Sequence, residues 1–135
     1  MTDRILFSIG DNLERQQVVF IRHDDISALP DRPGLFVLMG RTGPDAGAPV
    51  YFGHCGRSLL RQVPYDPGFA QAIRRGPVNF ATAFVPGGQE AEDLVTALAI
   101  TQDAPVNAAA MALAEIDSAN ALLHAEAQAR KIAAQ

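Results

Sequence analysis

A small α/β (α+β) domain, with a central and mainly antiparallel β-sheet flanked by helices, is what this sequence predicts, and three observations predict it. Short apolar runs rich in β-formers, at residues 34–39, 50–52 and 78–85, are bounded by Gly and Pro turn signals. Segments with helical apolar spacing follow them at residues 58–63, 69–75 and 89–101. The last stretch, residues 108–134, is dominated by Ala with Leu, Glu, Gln, Arg and Lys, has neither Gly nor Pro, and reads as one long helix. At 135 residues the chain has room for one domain with a real core. We divide it into an N-terminal β extension (residues 1–28), a core (29–107) and a C-terminal helix (108–135).

In chain order, residues 4–9 and 17–22 are two apolar runs separated by Gly10-Asp11-Asn12, which predicts a β-hairpin; a short helix over residues 12–16 is the competing reading. His23-Asp24-Asp25 offers caps for one helical turn over residues 26–29, ended by Pro30. These three adjacent residues do not converge on one point, so capping is favoured over a metal site. The strand at 34–39 leads through the Gly/Pro-rich tip at 40–49 to the strand at 50–52, a Gly-punctuated turn, and the helix at 58–63 that Pro64 interrupts. A second short helix places Phe69, Ala72 and Ile73 on one side and ends in Arg74-Arg75 before Gly76-Pro77. After the third strand, the helix at 89–101 carries Glu90, Glu92 and Asp93 near its positive end and an apolar face of Leu94, Val95, Leu98 and Ala99. Residues 103–107 read as a loop. On the final helix Ala109, Leu113, Ile116, Leu123 and Ala127 form a thin apolar stripe, expected to pack on the sheet or to join a partner helix in a homodimer.

Composition narrows the function classes. Hydrophobic residues make up 48 % and charged residues 19 %, which excludes disorder as the main state. No window is long and apolar enough to span a bilayer, so no membrane partner is expected and a cytoplasmic location is the default. The single Cys55 forms no internal disulfide, and no Cys/His cluster has zinc spacing. Net charge is −4, against a surface wholly devoted to nucleic acid. Its distribution matters more: residues 34–80 carry five cations against two acids, whereas the segments before and after are net acidic. All five cations, Arg41, Arg57, Arg61, Arg74 and Arg75, are arginines, suited to bidentate phosphate contacts if they share a face and to ordinary solvation if they do not. Gly53, Gly56 and Ser58 form a candidate anion-binding turn at a helix N-terminus.

Within this segment Gly34-Leu35-Phe36 and Tyr51-Phe52-Gly53 resemble the two short motifs that name the GIY-YIG nuclease superfamily. The lead-in Leu29-Pro30 and Pro33-Gly34, and an arginine ten positions after Tyr51, are similar to the nuclease domain of bacterial excision-repair endonucleases. The resemblance implies a small GIY-YIG-like sheet in the order strand, strand, helix, strand, helix. It also implies phosphodiester cleavage with one divalent cation, Mg²⁺ or Mn²⁺, on DNA or RNA. Such chemistry needs a base or water-positioner, a cationic group for the phosphoryl oxygens, and a carboxylate for the metal. Carried over by motif, Tyr51 and Arg61 are the candidate catalytic pair, with His54 just after the second motif as a phosphate contact or acid/base. Arg57, Asn107, Arg74 and Arg75 are candidate binding residues, Asn107 resembling the family's terminal asparagine.

Two positions depart from that pattern. Phe36 stands where the first motif has a tyrosine, and the metal-holding glutamate falls near Val95 or Thr96, leaving Glu92, one turn earlier, as the candidate metal ligand. The expected function is thus a nuclease with an incomplete site; the alternatives are an inactive relative binding nucleic acid or a phosphorylated ligand, and an interaction module dimerising through residues 108–135. Each residue also has a structural role open to it: Tyr51 as a strand tyrosine, Arg61 as a solvated helix residue, Asn107 as an N-cap, and Cys55 as a small buried hydrophobe rather than a thiol nucleophile.

Overall fold

A computed structural model describes residues 4–9, 16–85 and 89–133 of the chain. Five strands, β1 (Arg4–Ile9), β2 (Gln16–His23), β3 (Gly34–Gly40), β4 (Pro49–Cys55) and β5 (Val78–Ala83), form one antiparallel sheet in the order β1-β2-β5-β3-β4. The helices are α1 (Leu59–Gln62), α2 (Pro67–Arg74), α3 (Gln89–Thr101) and α4 (Pro105–Ala133). The fold is therefore α+β, with the expected N-terminal strands, strand-strand-helix-strand-helix order and long C-terminal helix. No helix among the described residues is long and apolar enough to cross a membrane.

Strand β3 lies between β5 and β4 and is buried at all seven positions, which is why it reads as a continuous apolar run rather than an alternating one. Its alternate residues serve two cores. Leu35, Val37 and Met39 face one side with Phe7, Phe20 and Phe52, and the buried Ala91, Leu98 and Ala99 of α3 close that core. Phe7 of β1 and Phe52 of β4 belong to the two edge strands, yet their rings meet edge-on at 5.3 Å. That contact requires the twisted sheet to curl around this core, which makes the α3 side concave. On the convex side Phe36, Leu38 and Cys55 pack with Leu59, Val63 and Ala72 of the α1–α2 segment.

Several sequence expectations are corrected in detail. Strand β4 continues through Gly53 and His54 to Cys55 instead of turning after Phe52. Gly53 is required by packing, because a Cβ there would lie 2.4 Å from the Phe36 ring. The 26–29 turn is a 3-10 turn, Ile26–Ala28, and Ile73 is exposed while Gly68 and Ala72 are the buried residues of α2. Residues 105–107 are not loop: α4 starts at Pro105, whose fixed φ and absent N–H suit a first helical position. The stripe on α4 does not pack on this chain's sheet. Every side chain from Ala112 to Arg130 is exposed. Gly10-Asp11-Asn12 lies outside the described residues, as does the 12–16 helix reading apart from Gln16, which is in β2.

Candidate functional site

Tyr51 lies on the convex face of β4, its ring edge-on to Phe36 at 5.7 Å. Its hydroxyl donates to Asp66 Oδ1 at 2.6 Å, and the same oxygen accepts the Gly68 N–H at 2.9 Å as the N-cap of α2. Gly68 sits directly against the ring: a Cβ there would fall 2.1 Å from Cζ. Burial, then the hydrogen bond to Asp66 and its negative charge, push the phenol well above its ordinary range. Tyr51 is therefore a held proton donor, in the opposite electrostatic state from a general base.

The next strand position but two, His54, faces the concave side, since side chains alternate along a strand. There its Nε2 lies 3.7 Å from Glu92 Oε1 on α3, while its buried Nδ1 has no hydrogen-bond partner among the described residues. Glu92 and Tyr51 are thus on opposite faces of the sheet. Among the described residues no three His, Cys, Asp or Glu side chains come together in a way that could hold a metal ion. The donor set does not fit the Mg²⁺ or Mn²⁺ that the motifs imply. Cys55, adjacent to His54 but on the convex face, is buried and its thiol is pushed up to about 11 by desolvation first and then by Asp66, so it is a packed hydrophobe and a poor nucleophile near neutrality.

Arg61 projects from α1 toward solvent, its Nε 3.7 Å from Asp31 Oδ1, and Arg57 lines the same open groove with Ser58. The anion-binding turn expected here has the N–H groups of residues 57–61 engaged inside the fold. Leu59 and Leu60 N–H donate to the carbonyls of Arg32 and Pro30; Arg61 N–H donates to Ser58 Oγ; Arg57 and Ser58 N–H both donate to Gln62 Oε1. Ser58 Oγ in turn donates to Asp31 at 2.5 Å.

Asn107 is buried in the first turn of α4 and is not an N-cap. Its Oδ1 accepts from Phe52 N at 2.8 Å and its Nδ2 donates to Phe52 O at 2.9 Å, so both amide groups are spent on the free edge of β4. Arg74 and Arg75 lie at the far end of α2, Arg75 lining the cleft that Tyr51, Gly68 and Val106 also line. Arg41 is hydrogen-bonded to Asn79 and the Val78 carbonyl, beside the Gly76-Pro77 turn that follows Arg75. Of the five arginines, Arg57 and Arg61 line one groove and Arg75 another.

The structure thus brings together Arg57 with Arg61, His54 with Glu92, and His54 with Arg61 in an open groove that Asp66, the partner of Tyr51, also lines, while Tyr51 and Asn107 are engaged in structural hydrogen bonds. Asp66 and Asp31, the partners that occupy Tyr51 and Arg61, were not among the sequence candidates. For Asp66 the signal was present in Asp66-Pro67-Gly68, a capping residue followed by a proline suited to the first helical position. Compared with models of known families, with curated proteins and with solved structures, the chain has no match.

Proposed function

We propose that this domain is an association module that works through α4. One observation carries the reading: beyond Met111 every side chain of the helix to Arg130 is exposed, and Leu113, Ile116 and Leu123 keep 61 %, 55 % and 63 % of their surface exposed along one stripe. A lone helix in water gains little from propensity alone and takes most of its stability from packing an apolar face. A stripe of this kind is what a partner would cover. Sedimentation of the full chain against a Leu113→Ala/Ile116→Ala/Leu123→Ala variant tests it, alanine keeping helix propensity while removing the apolar side chains. An associated parent at micromolar concentration and a monomeric variant are expected. Identical sedimentation of the two would sink the reading.

A second reading, nucleic-acid or phosphate-ligand binding, draws on Arg57 and Arg61 lining one open groove. It predicts that a labelled oligonucleotide binds at low salt, that affinity falls steeply as salt rises, and that Arg57→Ala/Arg61→Ala abolishes it. No binding at low salt retires this reading. Cleavage, the activity the motifs imply, has weaker support in the geometry, since Tyr51, Glu92 and Asn107 do not face one another.

A further inference from the structure

The second unpartnered apolar surface lies on the sheet itself. On the convex side α1, α2 and the 26–28 turn cover β3, β4 and the near end of β5, but among the described residues nothing covers β1 and β2. Register places Leu6 opposite Val19 and Arg4 opposite Ile21, all on that open side. Leu6, Val19 and Ile21 are 57 %, 44 % and 51 % exposed, and the adjoining Phe84 is 61 % exposed. A solvated face of an antiparallel sheet ordinarily carries polar residues, so three exposed aliphatic residues on two neighbouring strands break the pattern that solvent would select. Two cations border this surface: Arg4, and Arg32, whose guanidinium sits 5.2 Å over the Phe84 ring.

The arm and the open face are complementary. The arm carries Glu115, Asp117 and Glu126 along its length, with Arg130 and Lys131 only at its far end. On a helical wheel Asp117 and Glu126 flank the Leu113, Ile116, Leu123 stripe on its two sides. The stripe also contains Asn120 and alanines, which leaves it poor in the large residues that a self-standing coiled coil needs but flat enough to lie on a sheet. The 22 residues after Met111 span about 33 Å at helical rise, more than the roughly 24 Å width of a five-stranded sheet. Resting on the association reading above, we infer that the partner is a second copy of this chain, and that each copy lays its α4 arm across the open β1–β2 face of the other. The acidic flanks then meet Arg4 and Arg32. Because each copy contributes one arm and one face, the exchange closes as a two-fold dimer.

Sedimentation of two single variants, Ile21→Glu on the face and Ile116→Glu on the arm, tests this; both positions are exposed, and far-ultraviolet circular dichroism checks the fold, with Val19→Lys replacing Ile21→Glu should that chain unfold. Each variant alone is expected to be monomeric. Their equimolar mixture is expected to associate, because the intact arm of one copy meets the intact face of the other, with affinity about tenfold or more weaker than the parent since one of two linked contacts remains. A dimeric Ile21→Glu beside a monomeric Ile116→Glu, or a mixture that stays monomeric, overturns arm-on-face docking while leaving association through α4 standing. A parent that is monomeric at every concentration overturns both.

Discussion

Asn107 shows how a side chain with a functional appearance is claimed by the fold. An edge strand presents unpaired N–H and C=O groups, and on β4 the amide of Asn107 takes both from Phe52, standing in for a missing strand. Asn107→Ala leaves two buried backbone groups without partners and is expected to cost about 2–4 kcal/mol, read from urea unfolding; a loss below about 0.5 kcal/mol would show that water replaces the amide freely. Tyr51 is tied down in the same way by Asp66, and its environment sets an alkaline limit on stability. The folded-state value is raised above the ordinary 10.0, so the contribution is complete below pH 10 and is lost as pH rises beyond it. Cys55, raised from 9.0 to about 11, acts in the same direction between those values. Tyr51→Phe is expected to lower stability at pH 7 by about 1–2 kcal/mol and to make the fall above pH 10 shallower, both measured by unfolding across pH. An unchanged alkaline slope would contradict the assigned cause. The tyrosine itself was evident from the motif; its partner Asp66, fifteen residues on, was a matter of three-dimensional placement.

At the scale of elements, periodicity carried most of the information and burial the rest. The 13-residue α3 was legible in full, because Leu94, Val95, Leu98 and Ala99 supply one face and acids mark its start. The helical character of α4 was equally plain, but its destination was not: an apolar stripe has the same spacing whether it packs on its own sheet or on another chain. Only the short first turns are held, by Val106, Asn107 and Met111. Hydrogen exchange should therefore be slow in residues 108–111 at all concentrations. Beyond Met111 it should be slow only where the protein is concentrated, and fast on dilution; protection independent of concentration would mean the arm is held within one chain. The end of β4 was misread because Gly53 looks like a turn residue, whereas it is the one residue that leaves room for the Phe36 ring.

For the whole molecule, the curl of the sheet decides where everything else can sit. Phe7, Phe20 and Phe52 come from three strands and their rings lie 5.3 to 6.1 Å apart, linking the two edges across the concave core. Phe52→Ala removes that link and is expected to cost about 3–5 kcal/mol in urea unfolding, with loss of the near-ultraviolet aromatic signal; a cost under about 1 kcal/mol would show that α3 alone closes the core. The sheet also places Tyr51 on its convex side and His54 with Glu92 on its concave side, although His54 and Arg61 still meet in one groove at the end of β4. By itself the sequence determined the strands and helices, their order and the α+β class, since these follow from local periodicity, turn residues and helix propensity. Tertiary structure alone decided which polar groups are already bonded, which share a face, and which apolar surfaces remain uncovered, because those depend on register and curl between residues distant in the chain.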